Sequence, residues 1–166
     1  MRPDTRRLSV VAALLVSLVV ATGCTQDPEK PTLDEAAKQL VADGDKLLAS
    51  PSLTATGSAT ATEKADKDNE AGCLQGQVQR FFRAQGDLTG PPNKHSPGTA
   101  AGLLRGLLVS EGYEVIVDDL DLADENLGVT VLRNPATELT FMVTVRNSQQ
   151  PNILIVGKTS CYEPNV

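Results

Sequence analysis

The chain has 166 residues, with 15 Lys and Arg against 21 Asp and Glu, a net charge of −6. So acidic a protein lacks the basic surface that displaces counterions from a phosphate backbone, which argues against nucleic acid as a partner. With three Phe, two Tyr and no Trp, it is also short of the aromatic platforms on which sugars and bases stack.

The first seven residues carry Arg2, Arg6 and Arg7, and the 13-residue stretch from Leu8 to Val20 is almost wholly apolar. A helix of that length is too short for a bilayer core, which takes about 20 residues. Basic start, apolar run and the small residues Ala21-Thr22-Gly23 make the three regions of a secretory signal peptide, and Cys24 directly after them gives the form of a bacterial lipoprotein processing site. Residues 1–23 are therefore expected to be cleaved off, with Cys24 taking a diacylglyceryl group; two acyl chains suffice for stable anchoring. Ala21 stands where the usual pattern has a larger aliphatic residue. A buried core helix or an uncleaved anchor are the alternatives, and the N-terminal position, basic flank and Cys speak against the first. Thr5-Arg6-Arg7 resembles the opening of a twin-arginine signal, but Leu8-Ser9-Val10 does not complete it, so the export route stays open. The first 23 residues hold three Arg and one Asp, so the mature chain is more acidic still, at −8. The lipid is then the membrane contact, with the domain on the extracytoplasmic side of the cell membrane.

Residues 24–31 read as a lipidated tether. Thr32-Leu33-Asp34-Glu35 matches a capping box, and Leu33, Ala36, Ala37, Leu40, Val41, Leu47 and Leu48 recur at helical spacing, so an N-terminal helix is expected within 32–50. Residues 51–72 are rich in Ala, Thr, Ser and charge; they are expected to be a flexible linker, with a weak edge strand over Leu53 to Thr62 as the alternative. The core is expected in 73–166, and 32–166 as one exported domain. Val78 to Ala84 has strand propensity, with Arg80, Phe82 and Ala84 on one face and Phe81 on the other. Ser96-Pro97 opens a Leu-rich helix that Gly112 caps. Four strands follow at 113–117, 127–133, 138–146 and 152–158, the third alternating Leu139, Phe141, Val143 and Val145 with Thr140, Met142, Thr144 and Arg146. The order implies an α+β fold, a largely antiparallel sheet of about five strands with two helices packed on it.

Besides Cys24, only Cys73 and Cys161 remain to form an intrachain pair, and an oxidising compartment permits a disulfide between them; two free thiols are the alternative. A zinc site wants four ligands, and the only His is His95, so no metal or other cofactor is expected. Asp118, Asp119, Asp121, Asp124 and Glu125 cluster like a calcium loop but lack its glycine and its twelfth-position Glu; a solvated hairpin loop is the better reading. His95 has no nucleophile motif beside it. Arg80 and Arg83, next to Phe81 and Phe82, are candidate contacts for an anionic ligand or partner, against the plainer reading of strand-surface residues paired with the acidic excess.

Cys73, Arg80-Phe81-Phe82-Arg83, Leu103 to Leu108, Gly112-Tyr113 and Thr159-Ser160-Cys161 together resemble small exported lipoproteins of actinobacteria, over most of residues 33–162. The resemblance implies location, fold and disulfide, and no activity. The expected function is a membrane-anchored, non-enzymatic module that binds an envelope protein or a small ligand; an envelope enzyme, hydrolase-like, with a site assembled only by folding is the alternative.

Overall fold

The computed structural model describes residues 30–89, 96–118, 124–147 and 150–164. The expected signal peptide, Cys24, most of the expected tether, His95, Asp119 and Asp121 lie outside them. Helix α1 spans Leu33–Ala49 and α2 Pro51–Thr56; strand β1 is Gly57–Lys64 and β2 Phe81–Leu88; α3 is Ser96–Ser110; β3 to β6 are Glu114–Asp118, Leu127–Arg133, Thr140–Arg146 and Ile153–Lys158. The strands form one sheet in the order β1-β2-β6-β5-β4-β3, antiparallel throughout.

The α+β fold with an antiparallel sheet is present, but the sheet has six strands rather than five. The sixth is β1, an edge strand in the segment expected to be a linker or, as the alternative, a weak edge strand over Leu53 to Thr62. Ser50 ends α1 and its side chain accepts from the Leu53 amide to cap α2, with Pro51 at the first position, so the chain turns into a second short helix. Leu53 there is fully buried. In β1 the small inward residues Ala59 and Ala61 pack against the core while Thr60 and Thr62 face away. An edge strand that buries only methyl groups has little hydropathy to announce it. β2 begins and ends later than expected; Val78 and Gln79 instead form isolated bridges to Tyr162 and Asn69.

The three helices of the described residues lie on one face of the sheet. The capping box closes as the sequence implies: Thr32 N–H donates to Glu35 Oε2 at 2.9 Å and Glu35 N–H to Thr32 Oγ1 at 3.3 Å. α1 then lays Leu40 and Gly44 on β6 and β2; a Cβ on Gly44 would stand 2.5 Å from the Phe82 ring, and one on Gly157 2.8 Å from Leu40. α3 buries Ala100, Ala101, Leu104 and Leu108 on β4 and β5, ending at Gly112 with φ +89°. Across the covered face the strands place Phe82, Gly157, Phe141 and Leu132 in one register row and Ala84, Ile155, Val143 and Thr130 in the next. Phe141 meets Phe82 and Tyr113 edge-to-face at 6.3 and 5.6 Å, the arrangement aromatic quadrupoles favour.

Cys73 and Cys161 come to disulfide distance, their Cα atoms 5.7 Å apart. They join the segment leading into β2 to the one leaving β6, neighbouring strands in the sheet.

Candidate functional site

The two candidate arginines end on opposite sides of the sheet. Arg80, on the helix side, donates to Asp68 at 2.7 Å and Asp34 at 2.8 Å; the Asp68 hydrogen bond, chiefly, holds its pKa above the usual arginine value. It lines a cleft of about 360 Å³ floored by Ala37, Val41 and Ala65 between α1 and the end of β1, and its charge is already spent tying α1 to the segment after β1. Arg83, on the other side, donates to Glu63 at 2.8 Å and lies 4.4 Å from the centroid of Phe81. That is a cation over an aromatic face as well as an ion pair.

The side bearing Arg83 has no layer packed on it among the described residues. Antiparallel sheets with one wet face normally present polar residues there. Here one register row reads Arg83, Val156, Met142, Val131 and Val117, and the next Gln85, Leu154, Thr144 and Val129. Met142 is 40% exposed, and the valines and Leu154 are half-buried. This apolar band spans β3 to β6. The sequence did carry its signal: in Ile153-Leu154-Ile155-Val156 and in Val129, Val131 and Leu132 the apolar residues do not alternate cleanly, so both faces of those strands are greasy.

The third row of the bare face begins at the buried Phe81 and is polar from there on: Lys158, Thr140, Arg133 and Glu114. At its end a pocket of about 260 Å³ opens, lined by Gln79, Arg133, Glu138, Thr140, Lys158, Thr159, Ser160 and Cys161. Glu138 accepts from Lys30 at 2.7 Å, from Arg133 at 3.0 Å and from Ser160 at 2.9 Å; the Lys30 contact first, then Ser160, holds its carboxyl below the usual carboxylate range. Lys30 also sits 5.0 Å over the Tyr162 ring.

Of the acidic loop, Asp118 is engaged by Arg105 of α3 and Asp124 accepts from the Asn126 amide at 2.9 Å. Among the described residues no three His, Cys, Asp or Glu side chains converge as a metal site would require, and no helix is long and apolar enough to cross a membrane. Comparison with family models, with curated proteins and with solved structures gives no match to the chain.

Proposed function

We propose that the chain is an envelope lipoprotein, of the kind its likeness to small exported actinobacterial lipoproteins implies, lipid-anchored through Cys24 on the extracytoplasmic side of the membrane, and that its domain is a non-enzymatic binding module whose working surface is the bare face of the sheet. The observation that carries the binding role is the in-register apolar row Val156, Met142, Val131 and Val117, with no layer packed on it among the described residues, on a sheet whose other face carries the helices. Apolar surface left contiguous on a folded domain is the usual mark of a binding surface, since water contact there costs roughly 25 cal/mol per Å².

The position of Lys30 supports an orientation. Lys30 is held at Glu138 and Tyr162, and the six residue-to-residue steps from Cys24 to Lys30 reach at most about 20 Å. A lipid on Cys24 then keeps the Glu138 end of the sheet near the membrane, and the bare face rises from it into the envelope.

A photo-crosslinking residue at Met142 in expressing cells tests the binding role. A discrete adduct from position 142, absent with the same probe at exposed Val109 on α3, is the expected result. No adduct at 142, or the same adducts from both positions, would remove the bare face as the working surface.

A further inference from the structure

At the end of the sheet where α1 begins, strand pairing continues past β2 and β6. Arg80 N–H donates to Thr159 Oγ1 at 3.1 Å and Thr159 N–H to the Arg80 carbonyl at 3.0 Å, and Val78 pairs both ways with Tyr162. The chain before β2 therefore projects roughly 10 Å beyond Phe81. Two consecutive turns follow there, closed by Cys73 N–H donating to the Glu70 carbonyl at 3.1 Å and Gln77 N–H to the Leu74 carbonyl at 3.0 Å. Gly72 and Gly76, with φ of +80° and +82°, supply the left-handed third residue that such turns demand.

Leu74 stands between the two turns and is 76% exposed; the next most exposed large apolar residue among those described is Ile116, at 57%. The loop holds it there. Cys73 before it is joined to Cys161, and Val78 and Gln79 after it are bridged to Tyr162 and Asn69. A Cβ on Gly76 would meet nothing within 4 Å, so the second turn stands clear of the domain. From Ala71 to Gln79 no residue is charged, in a chain that is 22% charged. The tether leaves from the same end: Lys30 lies 5.0 Å over the ring of Tyr162, the neighbour of Cys161, and Cys24 is within about 20 Å of it.

We infer that Leu74 and its neutral loop seat in the lipid surface that holds Cys24, as a second, apolar membrane contact that fixes which end of the domain faces the bilayer. The inference rests on the lipoprotein reading. A lone leucine does not recruit a free protein to a bilayer, but on a domain already tethered by acyl chains the contact is intramolecular, and a weak one suffices. The nearby acids Glu70 and Glu163 offer nothing to anionic headgroups, so the contact is apolar and indifferent to salt.

The chain has no Trp, so Gln75→Trp places a single fluorescent reporter beside Leu74. Ala55→Trp places one on α2, which leads into β1 at the Gly57–Leu88 pair, the opposite end of the sheet. Both positions are exposed. The test reconstitutes each lipidated full chain in phosphatidylcholine vesicles with and without bromine on the acyl chains. An interfacial segment enters the headgroup–acyl boundary by roughly 5–10 Å, so bromine should quench the Gln75→Trp emission about twofold or more and leave Ala55→Trp unchanged. The quenching should persist at high salt and vanish when Leu74→Glu is added, with the urea midpoint of the domain unaltered. No quenching at position 75, equal quenching at 55, or quenching that survives Leu74→Glu overturns the inference. A chain whose mass shows lipid on Cys24 and that fails these comparisons loses this inference alone; a chain without lipid loses the lipoprotein reading, and this inference with it.

Discussion

The Tyr113 hydroxyl donates a 2.7 Å hydrogen bond to Asp43 Oδ2 across the junction of α1 with the start of β3, 70 residues away in sequence. Asp43 is 4% exposed and its other oxygen accepts from Gln39 at 2.8 Å, so a carboxylate in the helix-to-sheet interface is satisfied on both sides. Tyr113→Phe leaves one oxygen of that buried carboxylate unpaired, and about 1–3 kcal/mol of stability should go with it. Urea unfolding at neutral pH measures the loss.

The same pair sets a high-pH limit. Burial first, then the Asp43 hydrogen bond, pushes the Tyr113 hydroxyl well above its ordinary pKa of 10.0. A folded pKa above the unfolded one means that the native state keeps its proton longer, so stability falls as pH rises past about 10, by up to about 1.4 kcal/mol per unit. Tyr162 shifts the same way, mainly through burial. Tyr113→Phe should therefore make the alkaline slope of the unfolding free energy shallower and leave the shares of Tyr162 and of Lys46, whose hydrogen bond to Glu111 raises its pKa as well.

Glycine substitutions should split by position. In α1, Gly44→Ala gains helix propensity of about 1 kcal/mol but drives a methyl to 2.5 Å from the Phe82 ring, and overpacking of that kind costs roughly 1–3 kcal/mol. In α3 a Cβ on Gly106 meets nothing within 4 Å, so Gly106→Ala should stabilise by about 0.5–1 kcal/mol. Denaturant midpoints moving in opposite directions are the expected outcome.

Joining Cys73 to Cys161 closes a separation of 88 residues, for which loop-closure entropy gives up to about 4.5 kcal/mol. The double variant Cys73→Ser and Cys161→Ser should unfold at a clearly lower urea midpoint, and reductant should lower the wild type toward it while leaving the variant unchanged.

Glu138 reports on where the tether leaves the domain. Its lowered carboxyl pKa comes chiefly from Lys30, so its contribution to stability is present above the ordinary value of 4.5 and is lost as pH falls through the lower folded value. Lys30→Met should raise the Glu138 pKa in a carboxyl-detected NMR titration. An unchanged value would detach residue 30, and with it the direction of the tether, from this end of the sheet.

How far the fold was legible depended on side-chain size. The 33–49 helix, the Leu-rich helix and the strands around Phe141 and Ile155 announce themselves because large residues recur at one period. Gly57 to Lys64 reads as a linker because its inward residues are Ala59 and Ala61, whose pairing is decided by β2 rather than by their own hydropathy. The site was less legible. Arg80 and Arg83 are close in sequence, and only the sheet plane shows that they never meet. The bare apolar face was visible as missing alternation in 153–156, which is equally the pattern of a strand covered on both sides.

The central claim is anchoring of a binding domain by lipid at Cys24, and intact mass with membrane fractionation of the expressed wild type beside Cys24→Ser tests it most directly. The account predicts a membrane-bound wild type with the mass of residues 24–166 plus lipid, and loss of the lipid mass in Cys24→Ser. A wild type that keeps residues 1–23, or that is soluble and carries no lipid, would contradict it.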